Sequence, residues 1–394
     1  MNDVEAWVLR RRADGQPRRA QLQRTRIDIG TPAADEVLAQ PLFGSWEANM
    51  THALDRAPID ICSQRGEAEI VIGNAGVLRV LAVGAEVNEV EPGQVAIMHS
   101  AGLVDERGQM THALGYDAPG QMGVMATRMR VKGRQLIALP EHSRYSLQQW
   151  ATFGIRYVTA WANWQVAGGL ARIMHGQEAA LDVWGWGGGT TLAELDLARR
   201  QGHRAVMISG QEHHLKAIAE AGPETVDRRD FADMWADPDG DAAHERAYRR
   251  HERAFLSEVR RRTDGRGVHV FVDYIGGPVW RATLRALARQ AVVTTAGWKE
   301  GMRLDYLRAV ECIAQHQFVH THFASRVQAV AAIAYAESSG WMPDQPDRVY
   351  AFEEIPELAE DYRAGRTGYF PCYAIMPDDP APDRPDPGGS VIRR

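Results

Sequence analysis

The chain has 394 residues, 45% hydrophobic and 24% charged, with a net charge of -6. That length suits two domains of ordinary size, and the composition is that of a globular, soluble protein. The charge leaves no basic stripe for nucleic acid, and no apolar run approaches the roughly 20 residues of a membrane span.

The first residues, through Arg10-Arg11-Arg12, lack the apolar core of a secretory leader. Cys62, Cys312 and Cys372 lie far apart without a Cys-x-x-Cys spacing, which fits a reducing cytoplasm and no disulfide framework. The only lysines are Lys132, Lys216 and Lys299; genome base composition accounts for the arginine bias.

Up to about residue 160 the chain reads as β-rich. Short apolar runs at 70–72, 77–83 and 95–98 are separated by glycine and by the turn Glu91-Pro92-Gly93-Gln94. A second glycine-spaced set covers 120–131, and residues 146–164 read as helix.

The organising stretch follows. An apolar run at 181–184 breaks into Gly185-Trp186-Gly187-Gly188-Gly189-Thr190, then a helical pattern carries Leu192, Leu195 and Ala198 before a second run at 205–208. Strand, glycine turn, helix and strand form the unit that holds a dinucleotide pyrophosphate on a helix N-terminus. Against the Gly-x-Gly-x-x-Gly fingerprint, Gly185 and Gly187 stand in place and Thr190 occupies the third position.

Further strands are expected at 224–226, 268–272, 291–295 and 318–323. Helices are expected near 191–201, 212–221, 245–262, 278–289 and 304–315. This alternation implies an α/β fold with a Rossmann-type, doubly wound parallel sheet. The charge-dense residues 227–253 read as a solvated insertion. A helix at 327–338, residues 349–352, a helix at 355–363 and a strand at 369–375 close the ordered chain. The Pro- and Asp-rich tail, 377–394, reads as disordered.

The order of these parts resembles the medium-chain dehydrogenase/reductase superfamily over nearly the whole chain. Gly84 with Glu91-Pro92-Gly93-Gln94-Val95 looks like one of its turns, and Arg156-Tyr157-Val158-Thr159-Ala160-Trp161 like its Thr-Ala-Tyr helix. Phe271-Val272-Asp273-Tyr274-Ile275-Gly276-Gly277 and the 291–297 run ending at Gly297 look like its sheet-strand ends. Within the superfamily, the segment after the third parallel strand and His320-Thr321-His322-Phe323-Ala324 look most like the crotonyl-CoA carboxylase/reductase branch of enoyl reductases.

The resemblance implies a GroES-like β-rich catalytic domain (1–164), a Rossmann domain (165–324) and a C-terminal return to the catalytic domain (325–376). It also implies a homodimer through the last strand of the Rossmann sheet. Zinc members carry a cysteine after the first strand, a Gly-His-Glu and a four-cysteine lobe. Here Phe43-Gly44-Ser45-Trp46-Glu47 holds no cysteine, and Gly73-Asn74-Ala75 stands for Gly-His-Glu. Without that donor set, no zinc is expected.

Other groups must then stabilise the charge that forms when hydride arrives. The positions matching the interdomain cleft are Glu47, Asn49, His52, Asn74, Arg156, Tyr157 and the Trp298-Lys299 pair. Glu47 or His52 can donate a proton, Tyr157 a hydrogen bond, and the two asparagines can orient substrate. The alternatives are solvated loop tips for Glu47 and His52, and packing for Tyr157. Lys299, beyond a strand end, suits a phosphate or carboxylate, with a plain surface lysine as the alternative.

The cofactor set is Thr159, Gly185, Gly187, Gly188, Gly189, Thr190, Ser209, Gln211, His214, Lys216, Gly297 and Lys299. No acidic residue stands near Ser209 for a free ribose, so Ser209, Gln211, His214 and Lys216 favour NADP over NAD. His320 and His322 alternate on a strand; a structural role outweighs a metal pair without a third ligand. The leading expectation is a cytoplasmic, zinc-independent, NADPH-dependent oxidoreductase of a small-molecule substrate, reducing a polarised C=C such as an enoyl thioester, or a C=O. The rival is a non-redox or cofactor-degenerate member acting as a lyase, isomerase or binding partner. In that reading Thr190, Trp184 and Trp186 crowd the pyrophosphate.

Overall fold

The computed structural model describes residues 3–376 apart from Pro238, Trp298, Met302 and His322. The readings above on Trp298, His322 and the tail 377–394 lie outside those residues.

Six parallel strands form one sheet in the order Glu224–Asp227, Arg204–Ser209, Asp182–Trp186, Val268–Asp273, Leu287–Thr295, Gln317–His320. In chain order this is 3-2-1-4-5-6, the doubly wound arrangement whose switch point lies beside the first strand. That strand alternates. Val183 joins the core shared with the helices Leu147–His175 and Gly189–Arg200, and Trp184 and Trp186 join the core on the other face. Trp186 stacks on Phe255 at 5.4 Å and meets Phe271 at 5.1 Å. Each such buried side chain contributes on the order of 2–3 kcal/mol.

Two readings are corrected here. The tryptophans do not crowd the glycine turn, because the strand's period of two turns both indoles into the core behind it. The charge-dense segment is not a solvated insertion. Phe231 and Met234 are buried, and the helix Ala242–Arg262 presents Tyr248, Phe255, Leu256 and Val259 to the tryptophan face. Its arginines occupy the outer face, so the charge is the solvent side of the helix expected at 245–262, and its apolar side is buried.

The long helix Leu147–His175 begins with a capping box: Ser146 Oγ accepts from the Gln149 N–H, and the Gln149 side chain accepts from the Ser146 N–H. It runs 11 residues past the expected end, because Gly168 leaves room for the Trp164 ring, 2.7 Å from where a Cβ would stand. Glycine ordinarily weakens a helix interior; here packing overrides propensity.

The β-rich part holds a seven-stranded sheet in which Glu36–Ser45 pairs antiparallel with Gly76–Val83 and with Cys372–Ala374. The strand Leu136–Ala138 pairs antiparallel with the strand Val95–Met98 at one edge of that sheet. The C-terminal strand thus sits beside Ser45, and the chain leaving Ser45 enters the helix Ala48–Asp55. No helix among the described residues is long and apolar enough to cross a membrane.

Candidate functional site

A cavity of about 240 Å³ opens between the β-rich part and the carboxyl ends of the parallel strands. Open α/β sheets collect ligands at that edge. Glu47, Asn49, His52, Thr159, Gly188, Gly189, Thr190, Gly297 and Lys299 line it, together with Asn74, His99, Arg156, Tyr274, Phe323 and Tyr362.

The glycine turn makes one wall. A Cβ on Gly185 would stand 2.8 Å from Thr191 Cγ2, and one on Gly187 would collide with Thr191 Oγ1. Thr191, fully buried, is therefore the residue that seats the helix on the strand. Thr190, read as the third fingerprint position, instead faces the cavity, where the packing argument against it does not apply. Gly188 has open space within 4 Å of an added Cβ. As N-cap of the helix Gly189–Arg200 it supplies no side-chain cap, so the first-turn amides and the helix dipole are available to an anion.

The adjoining wall is built on a buried ion pair, with Arg156 packed against Gly189 of the turn. Arg156 donates to Glu47 Oε1 at 2.5 Å, to Ser45 Oγ at 2.5 Å and to the Trp46 carbonyl at 2.6 Å. Both charged residues are buried, at 3% and 6% exposure. Burial pushes the Glu47 carboxyl up from its ordinary range, and the Arg156 charge pulls it back. The solvated-tip alternative for Glu47 thus gives way to a carboxylate committed to a guanidinium. His52 is half-buried, and burial lowers its pKa, keeping the ring neutral near pH 7. Asn49 Oδ1 and Asn74 Oδ1 are buried in this wall without a hydrogen-bond partner. Unsatisfied buried acceptors cost free energy that an incoming donor recovers.

His99 and Tyr274 were not anticipated. His99 follows the strand Val95–Met98, and its Nε2–H donates to the Ala324 carbonyl at 3.0 Å. Burial lowers its pKa as well. Tyr274 belongs to the Asp-x-x-Gly strand end noted in the sequence; its position there was visible, its reach into the cavity was not.

Some anticipated residues lie elsewhere. The Tyr157 side chain points into the aromatic core, 4.7 Å from Trp341 and 5.1 Å from Phe153, and does not line the cavity. Packing, the alternative reading, describes it. Ser209, Gln211, His214 and Lys216 cluster around the N-terminus of the helix Glu212–Ala221, away from the cavity. His214 stacks on Tyr369 at 4.2 Å and donates to the Thr367 carbonyl at 3.1 Å. Burial lowers its pKa to about 4. Lys216 is exposed, 3.8 Å from Glu220. Arg228 was overlooked. It follows the strand whose Asp227 pairs in register with Ser209, and its Nε lies 3.2 Å from where a Gly210 Cβ would stand. His320, on the edge strand, meets Thr295 Oγ1 at 2.8 Å through Nδ1.

No protein-family model matches the chain, and no curated protein matches its sequence. Solved structures do match. Crotonyl-CoA carboxylase/reductase AntE, in complex with NADP, is 19% identical with a TM-score of 0.78, over 96% of each chain. The 2-octenoyl-CoA carboxylase reductase CinF, in complex with NADP and 2-octenoyl-CoA, is 20% identical with a TM-score of 0.79, over 96% of this chain and 89% of that one. An NAD-dependent alcohol dehydrogenase is 20% identical with a TM-score of 0.73, over 94% of this chain and 99% of that one. The chain therefore has the fold of the medium-chain dehydrogenases/reductases, in which a β-rich part and a Rossmann sheet enclose a cleft.

Proposed function

We propose that this chain is an NADP-dependent oxidoreductase that works without zinc and reduces a polarised carbon–carbon double bond, with an enoyl thioester as substrate class. The observation that carries the reading is one cavity lined by the open glycine turn, by the Arg156–Glu47 pair packed against that turn, and by Asn49, His52 and Asn74. The NADP complexes of AntE and CinF, the latter with an enoyl-CoA bound, support it.

When bound, a nicotinamide dinucleotide supplies the hydride. The chain's own part is to hold and orient. The amides at Gly188–Thr190 and the helix dipole receive the pyrophosphate. Asn49 and Asn74 take hydrogen bonds from donors on the substrate, such as the amide groups of a thioester arm. His52, neutral and at the rim, offers a ring N–H to the carbonyl oxygen as negative charge gathers there. Arg156, fixed by Glu47, Ser45 and Trp46, keeps this wall rigid. The zinc-free part rests on the donor set, since residues 43–47 hold no cysteine and Gly73-Asn74-Ala75 stands for the Gly-His-Glu of zinc members.

The preference for NADP rests on Ser209, Arg228 and Lys216 and on the lack of an acidic residue between Ser209 and Gln211. A guanidinium recognises a phosphate group through charge-assisted hydrogen bonds. Arg228→Ala is expected to weaken NADPH binding about tenfold and leave NADH unchanged. Fluorescence titration of both dinucleotides checks this; equal loss for both would remove Arg228 from the phosphate site.

A homodimer belongs to the same reading. The strand Gln317–His320 is the sheet edge, and nearby Tyr306, Leu307, Val310 and Ile313 are 54%, 73%, 52% and 70% exposed. Such a patch beside an open edge suits a symmetric partner. Sedimentation velocity should show a dimer that Leu307→Glu converts to monomer; a monomeric parent protein would contradict it. A cytoplasmic compartment also belongs to this reading, and recovery of the native protein in a membrane or secreted fraction would contradict it.

A further inference from the structure

Beside the cavity lies a buried polar cluster that the mechanism above leaves unused. Glu194, in the glycine-turn helix, has no exposed surface. Its carboxylate accepts from Tyr274 Oη at 2.5 Å and from Asn163 Nδ2 at 3.1 and 3.2 Å. Asn163 Nδ2 also donates to Tyr274 Oη at 2.5 Å. Asn163 Oδ1 in turn accepts from Thr294 Oγ1 at 2.7 Å and from Thr321 Oγ1.

Among the described residues, this carboxyl has no compensating charge beside it. From the long helix it meets Asn163, and from the loop after Val268–Asp273 it meets Tyr274; Thr294 and Thr321 reach it only through Asn163. Among the described residues no arginine, lysine or histidine pairs with it. Asp196, two positions on, is turned away to Arg199 and Arg200. A carboxylate without a cation is expensive to bury, whereas glutamine would supply a polar contact there without that cost. Yet two donors, the Tyr274 hydroxyl and the Asn163 amide, are directed at Glu194 so that its ionised form is hydrogen-bonded. The site is built for a group that can be either neutral or charged.

Of this cluster, Tyr274 reaches the cavity. It lines the cavity together with Ala296 and Gly297, at the carboxyl edge of the sheet where a dinucleotide and its nicotinamide ring would lie. That ring carries a positive charge when oxidised and none when reduced. We propose that Glu194, acting through Tyr274, is a positioning residue that ionises to meet the charge of the oxidised cofactor and so sets the relative affinity for the oxidised and reduced forms. This inference rests on the functional reading given above.

The balance is simple. When NADP+ binds, the Glu194 carboxyl loses its proton to solvent and becomes a carboxylate held by Tyr274 and Asn163; NADPH binding leaves the proton in place. In the free protein burial raises this carboxyl from its ordinary 4.5 to about 8. Proton release on NADP+ binding is therefore expected below about pH 8, and its affinity rises with pH by at most about tenfold per unit until it levels off above that value. The same raised pKa means that the folded free protein holds an extra proton over this window. Its stabilising contribution is complete below the ordinary carboxyl range and is lost as pH rises through about 8.

Isothermal titration calorimetry of NADP+ and NADPH, from about pH 6 to about pH 9 in two buffers of different ionisation heat, reads the proton directly. The parent protein should release up to one proton with NADP+ and none with NADPH. Glu194→Gln should bind both nucleotides with no proton release and a flat pH profile. Tyr274→Phe, which keeps the carboxyl but removes its link to the cavity, should reduce the release. Thermal melts and circular dichroism establish that each variant is folded; if Glu194→Gln does not fold, the NADP+ against NADPH comparison in the parent protein and Tyr274→Phe still decides. Equal proton release for the two nucleotides, or release that persists in Glu194→Gln, overturns this inference alone. Failure of both nucleotides to bind overturns the functional reading and this inference with it.

Discussion

Arg156→Leu is expected to lower the unfolding free energy by about 3–5 kcal/mol, the cost of leaving one member of a buried ion pair alone. Arg156 and Glu47 are both nearly excluded from water, and the guanidinium also satisfies Ser45 Oγ and the Trp46 carbonyl. Removing it strands three acceptors at the junction between the strand Glu36–Ser45 and the helix Ala48–Asp55. Burial already favours the protonated form of Glu47, and loss of Arg156 strengthens that tendency. The penalty should thus shrink in acid, where Glu47 accepts a proton. Glu47→Leu added to Arg156→Leu should recover part of the loss because no charge remains buried. Urea denaturation of the single and double variants checks this; a single-variant cost below about 1 kcal/mol would show the pair to be solvated like a surface bridge.

Gly188→Leu is expected to do the reverse, sparing the fold and removing the cofactor. An added Cβ meets no protein atom within 4 Å, and the backbone at φ -106° is open to residues other than glycine. The leucine would occupy the space where the glycine-turn amides meet a pyrophosphate. Dinucleotide affinity should fall at least about 100-fold, roughly 2.8 kcal/mol, with the melting temperature unchanged. Gly185→Ala provides the contrast, since its Cβ would press on Thr191 and Val272 and destabilise the sheet. Calorimetry and thermal melts on the two variants separate the roles; undiminished binding by Gly188→Leu would place the pyrophosphate elsewhere.

Local pattern made much of this molecule readable. The run through Trp184, the glycine turn and the spacing of Leu192, Leu195 and Ala198 define strand, turn and helix because each signal is carried by neighbouring residues. The six parallel strands followed from the same alternation. Where packing partners lie far apart in sequence, the reading failed. Nothing near Tyr157 reveals that Trp341 and Phe370 will enclose its ring. Nothing near His214 reveals that Tyr369 will stack on it. The charge of residues 227–253 masked the burial of Phe231 and Met234, which join Phe255 of the expected helix in the core behind two tryptophans.

The candidate site divides in the same way. Glu47, Asn49, His52 and Lys299 were found through their place in the chain relative to a familiar order of elements. Arg228 becomes visible only once Ser209 and Asp227 stand side by side in the sheet. The Glu194 cluster draws on five separate segments, with no spacing that marks it.

The central claim is that the cavity holds a reduced dinucleotide against an unsaturated substrate. Its most direct test is to mix the purified protein with NADPH and a set of enoyl-CoA thioesters and small carbonyl compounds, following dihydronicotinamide absorbance and product mass. The account predicts NADPH oxidation with at least one enoyl thioester, one saturated product per NADPH consumed, and loss of the reaction in Gly188→Leu. Neither binding nor oxidation of NADPH or NADH with any of these compounds would contradict it.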